Sequence, residues 1–147
     1  MPKLLTEKPI DFTSNLEVST VFMEFKGKLL LLFRPSNKCF PSTWGIPGGK
    51  LEKGETPLDG LVREIQEELG LRPDPSECSH FHSLYVRHPQ MDYKLHLFQW
   101  KLDSLPLIVL NPEEHLDCRW QPISEFSTLP LLAGQLEAFH FVYGKNF

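Results

Sequence analysis

Three glutamates carry the strongest chemical signal in the chain. Glu64, Glu67 and Glu68 stand at i, i+3 and i+4, so a helix projects them from one face within about one turn. Like charges at that spacing destabilise an isolated helix by roughly 0.2–0.5 kcal/mol per pair. At about 4–6 Å, such a neighbour also raises the pKa of one carboxylate. A hard divalent ion such as Mg2+ or Mn2+ converts the repulsion into coordination, because these ions take oxygen ligands. A solvated charged helix face is the bland alternative, and spacing alone does not separate the two.

The helix that must hold these carboxylates is legible. Thr56 is a good N-cap, Pro57 suits the first helical position, and Asp59 completes a capping-box-like pattern. Gly70 supplies a left-handed C-cap. Leu58, Leu61, Val62, Ile65 and Leu69 recur at helical spacing and predict a buried stripe. Upstream, residues 16–24 and the apolar run 29–33 flank Lys26-Gly27-Lys28 and read as a hairpin. Trp44-Gly45-Ile46 is a short extended piece stopped by Pro47 and Gly48-Gly49. Residues 81–86 and 93–102 read as strands, Arg119-Trp120-Gln121 as a last short one, and 131–143 as a helix with Leu132, Leu136, Phe139 and Val142 on one face. Strands interleaved with helices predict an α/β fold, a mixed β-sheet clasped between helices.

From Gly49 onward the chain follows G-x5-E-x7-R-E-U-x-E-E-x-G-U, where U is a bulky aliphatic residue. Gly49, Glu55, Arg63, Glu64, Ile65, Glu67, Glu68, Gly70 and Leu71 satisfy it. That pattern is the Nudix box, and over residues 16–141 the chain resembles the Nudix hydrolases, which cleave a nucleoside diphosphate linked to another group. The resemblance implies the α/β/α sandwich of that family and Mg2+-dependent hydrolysis of a phosphoanhydride, with Mn2+ as an alternative ion. It implies Glu64, Glu67 and Glu68 as metal ligands, helped by the backbone carbonyl of Gly48 in Pro47-Gly48-Gly49-Lys50. It makes Glu55 and Arg63 an ion pair that holds this loop to the helix, a task suited to a planar guanidinium. One acidic residue outside the box often completes the site as ligand or general base. Glu114, six residues before Trp120, is the candidate, with Glu113 as fallback. The implied reaction is in-line attack of water on phosphorus.

The substrate is less clearly written. Residues 44–50 and 54–57 look like MutT, although Gly45 stands where those proteins usually carry Glu. Arg34, fifteen residues before Gly49, occupies the place where MutT-like proteins put a nucleotide-contacting arginine. Lys50 joins it as a substrate contact, and Tyr85 and Phe98 are candidate stacking rings, worth about 1–3 kcal/mol per base. A surface arginine and core aromatics are the plain alternatives. The resemblance implies a (d)NTP pyrophosphohydrolase giving NMP and pyrophosphate. A nucleotide-sugar or dinucleoside polyphosphate hydrolase is the alternative, and a non-catalytic nucleotide-binding module the competing class. His115 follows Glu114 and is a candidate proton shuttle near pH 7. His80 and His82 alternate along a strand, which predicts both rings on one face without a zinc site.

Composition narrows the partners. The 147 residues read as one domain, 1–147, with 1–15 a flexible or edge segment. Hydrophobic content of 41% and charged content of 23% suit a globular protein. A net charge of −4 and no basic stripe argue against nucleic-acid polymers, and the resemblance implies a nucleotide as the small-molecule partner. No run is long enough to span a membrane, and residues 1–15 lack a signal-peptide apolar stretch. Three cysteines without metal-type spacing fit reduced thiols and a cytoplasmic setting. Many Nudix proteins are dimers, so the resemblance extends to a homodimer.

Overall fold

Residues 29–32 are four consecutive leucines, and a strand built from them must be covered on both faces. In the computed structural model, which describes residues 2–145, it is. In strand β3 (Lys28–Phe33), Leu29 and Leu31 pack into one core and Leu30 and Leu32 into another. Strand β2 (Glu17–Phe25) divides the same way, Phe22 against Val21 and Met23, and so does β7 (Tyr93–Lys101), Leu95 and Leu97 against Phe98 and Trp100.

These strands are the centre of one eight-stranded sheet completed by β1 (Lys3–Leu5), β4 (Trp44–Gly45), β5 (Gly48–Lys50), β6 (Ser79–Arg87) and β8 (Asp117–Pro122). The order is β1-β6-β7-β2-β3-β4, with β5 added to β2 and β8 to β3. The β2–β7 pair is parallel and the other ladders antiparallel, which gives the expected mixed sheet. Helix α1 (Pro57–Leu69) covers one face through Leu61, Ile65 and Leu69. Helix α2 (Gln135–Tyr143) and the 3-10 segment Ile123–Thr128 cover the other through Phe126, Ala138 and Phe139. The α/β/α sandwich is therefore the observed fold.

Local chemistry explains the joints. Lys26 (φ 48°) and Gly27 (φ 74°) are both left-handed, the signature of a type I′ hairpin turn between β2 and β3. Thr56 Oγ1 accepts from Asp59 N–H at 3.1 Å, and Gly70 (φ 68°) closes α1 with its N–H on Gln66 O.

Four features differ from the sequence expectation or refine it. The chain resumes as a strand at Gly48–Lys50, after Pro47, because β2 offers Val18, Ser19 and Thr20 as ladder partners. The last helix begins at Gln135 rather than 131, since Leu131 bridges to Trp44 and Gly134 (φ 88°) turns the chain first. A register shift between His80 and His82 separates their rings: His80 lies against Phe98 and His82 against Phe141. Residues 3–5, within the segment left open as flexible or edge, form the sheet's outermost strand on β6. No helix among the described residues is long and apolar enough to cross a membrane.

The three cysteines are free and sit in different surroundings. Cys39 is exposed, whereas burial, with Glu77 and Asp74 nearby, pushes the Cys78 thiol up to about 11. Alkylation at pH 8 followed by peptide mass spectrometry should modify Cys39 first and Cys78 only after unfolding. Equal native rates for the two would contradict the placement of Cys78 in the core under α1.

Candidate functional site

The site is built where β5 runs against α1. Gly48 N–H donates to Glu68 Oε1 at 2.9 Å. Gly48 has φ 151°, and a Cβ there would overlap Ser19 O, while a Cβ on Gly49 would overlap the Glu64 carboxyl. Two adjacent glycines thus let bare backbone lie directly against two carboxylates.

Arg63 fixes the geometry from the side. Its guanidinium bonds Glu55 twice, Nε to Oε2 at 2.8 Å and Nη2 to Oε1 at 3.0 Å. It also reaches Lys50 O (3.0 Å), Glu64 Oε1 (3.0 Å) and Glu67 Oε2 (3.3 Å). One planar fork therefore ties the loop before the helix to two of the box glutamates. Hydrogen bonds from Arg63 and from Glu52 N–H hold the Glu55 carboxyl down at about 2.

Glu68 is the buried member of the set, 5% exposed. Burial pushes its carboxyl well above the usual range, and Glu64 and Glu114 add to the shift, against Gly48 N–H and Arg34. Burial likewise raises Glu64. Glu114 reaches this place because its segment is pinned to the end of α1. Val109 N–H bonds Leu69 O at 2.9 Å, and both Glu114 N–H and His115 N–H bond Asn111 O. One ligand atom each from Glu68, Glu114 and His115 lies within 4.8 Å of the others. Glu67 stands at the rim, its side chain half exposed, and Glu113 is exposed.

His115 overturns one expectation. It is 6% exposed, and burial, followed by the charges of Arg34 and Lys38, pushes it down to about 4. It is neutral near pH 7, so it does not shuttle protons there. Its Nδ1 lies 3.8 Å from Glu68 Oε2 and has no hydrogen-bond partner among the described residues. With His115 neutral, this contact is not an ion pair. Carboxyls raised by burial and mutual repulsion, beside an unpaired nitrogen, are a donor set short of positive charge. Those residues fit a divalent cation.

A cavity of about 180 Å3 opens beside the cluster. Arg34, Lys50, Glu68 and His115 line it together with Tyr93 and Leu95. Arg34 is steered by bonds from Nε to Cys39 O (2.9 Å) and from Nη2 to Cys39 Sγ (3.2 Å). Tyr85 and Phe98 do not line the cavity. Phe98, 3% exposed, faces α1 because even-numbered residues of β7 point that way, and Tyr85 packs edge-on against Phe12. The odd positions Tyr93 and Leu95 reach the cavity instead, a signal already present in the alternation of β7.

Fold and site together define a class, an α/β/α hydrolase whose glycine loop and acidic helix act on charged phosphate chains. The chain matches the NUDIX domain over residues 13–142 and belongs to the Nudix hydrolase family, whose members cleave pyrophosphate bonds in nucleotide derivatives. It is 32% identical over 130 residues to the CTP pyrophosphohydrolase of Escherichia coli K12, covering 84% of this chain and 90% of that one. It is 37% identical over 84 residues to the 8-oxo-dGTP diphosphatase of Proteus vulgaris, covering 55% and 73%. The solution structure of the E. coli ORF135 protein superposes with a TM-score of 0.64 at 29% identity, covering 86% and 89%. The MutT Nudix hydrolase of Burkholderia pseudomallei shares the fold, with a TM-score of 0.73 at 20% identity, covering 84% and 95%.

Since Glu68 has its pKa raised above 4.5 in the folded state, its ionisation near neutral pH costs stability that a neutral side chain does not. At pH 7.5 without divalent ions, Glu68→Gln should melt higher than the wild type. Added Mg2+ or Mn2+ should raise the wild-type Tm and leave the variant nearly unmoved. A metal-induced shift of equal size in both proteins would remove Glu68 from the cation site.

Proposed function

We propose that this chain is a (d)NTP pyrophosphohydrolase, cutting a nucleoside triphosphate into a nucleoside monophosphate and pyrophosphate. The observation that carries the reading is one cavity with Glu68, His115 and Arg34 on its wall, Glu114 grouped with the first two, and apolar residues elsewhere, suited to a phosphate chain joined to a base. The similarity to a CTP pyrophosphohydrolase over 84% of this chain supports a triphosphate over a nucleotide sugar or dinucleoside polyphosphate.

Glu64, Glu67, Glu68 and Glu114, with the Gly48 carbonyl, would hold Mg2+ or Mn2+. When bound, such an ion neutralises charge on the phosphate chain and favours attack by water. Arg34 and Lys50 draw the phosphates into the cavity. Arg63 holds Glu64 and Glu67 in place, so their carboxylates do not swing toward solvent. A carboxylate of the cluster, with Glu114 foremost, takes the proton of the attacking water. Glu55 touches no substrate in this scheme: it positions Arg63.

Incubation with Mg2+ and a panel of triphosphates, ADP-ribose, sugar nucleotides and diadenosine polyphosphates, read by product chromatography, tests the reading. Triphosphates should give monophosphate and pyrophosphate with the highest kcat/KM. Glu64→Gln should lower kcat by about 10²–10³-fold, the loss typical of removing one preorganised charge-stabilising group. Faster turnover of a sugar nucleotide or dinucleotide would overturn the substrate assignment, and no turnover at all would make the chain a binding module.

A further inference from the structure

Gln135 lines the cavity and has no part in the hydrolysis described above. It opens α2 and is 6% exposed. Its Oε1 accepts from Ile46 N–H at 2.8 Å. A backbone N–H can only donate, so this bond fixes which end of the amide faces Ile46. The Nε2 group is left with no hydrogen-bond partner among the described residues. Gly45 makes the arrangement possible, since a Cβ there would meet Gln135 Oε1 at 3.0 Å and Leu132 Cδ2 at 3.2 Å. Thr20, whose buried Oγ1 also lacks a partner, lines the same cavity. A donor without a partner on the wall of a mostly apolar cavity, beside a buried hydroxyl that has none, is the pattern of a ligand site.

Resting on the reading above, we propose that Gln135 is a specificity-determining residue whose Nε2–H donates to a carbonyl oxygen of the substrate's base. Its oxygen is committed to Ile46, so the amide offers the ligand a donor and no acceptor. Cytosine, uracil and guanine each present a ring carbonyl, whereas adenine has none and shows an amino donor that would confront Nε2. The cavity therefore selects keto-bearing bases, and Gly45 and Gln135 act as a pair.

Calorimetric binding of CMP, UMP, GMP, AMP and ribose 5-phosphate to the wild type, Gln135→Leu and Gly45→Ala tests this without relying on turnover. The best of CMP, UMP and GMP should bind the wild type about tenfold more tightly than AMP, the discrimination of roughly one buried hydrogen bond. Both variants should compress that ratio toward one, with ribose 5-phosphate as the reference for the phosphate half of the cavity. Gln135→Leu also removes the acceptor of Ile46 N–H. If it fails to fold, Gly45→Ala, which keeps the amide but shifts it, decides alone. Equal or tighter binding of AMP, an unchanged ratio in the folded variants, or no binding of any monophosphate would overturn the proposal. Failure of triphosphate turnover would sink the proposed reaction and leave this assay readable.

Discussion

One close approach governs the site: the bare backbone of Gly48 and Gly49 against the carboxyls of Glu68 and Glu64. It needs glycine at both positions, because any side chain would occupy the space of Ser19 or Glu64. It also needs α1 seated at one depth, which Leu61, Ile65 and Leu69 provide from the core. Arg63 locks the lateral position by bonding Glu55, Lys50 O, Glu64 and Glu67 together. Hydrophobic burial, backbone strain and a charged fork thus converge on the same few ångströms.

The arrangement is electrostatically unfavourable by itself. Burial raises both Glu64 and Glu68; Glu67 and Glu114 push Glu64 further, and Glu64 and Glu114 push Glu68. Glu55, outside the cluster, gains from its surroundings instead, through Arg63 and Glu52 N–H. A fold that concentrates uncompensated acid beside a cavity gives up stability, and on the proposed reading it does so for affinity toward a cation.

Much of the scaffold was legible in the chain. The capped helix, the two-faced leucine strand and the glycine loop each follow from local rules of spacing, capping and burial. The early start assigned to the last helix failed because Leu131 bridges to Trp44, eighty-odd residues away in sequence, and Gly134 then turns the chain in a left-handed conformation. The wall of the cavity was harder for the same reason. Phe98 and Tyr85 are aromatic residues in strands, and which face each takes is set by the register of β6 on β7 and the bulge at His80. Glu68 and Glu67, adjacent in sequence and alike in pattern, differ in burial because α1 tilts one into the cavity and leaves the other at the rim.

On the reading proposed above, Glu64, Glu68 and Glu114 hold a divalent cation beside the cavity that Glu68 lines. An anomalous-difference map from crystals soaked in Mn2+ is the most direct measurement. The expected result is a peak within coordination distance of these carboxylates and the Gly48 carbonyl. A map with no peak there, or with its only peak elsewhere on the surface, would contradict it.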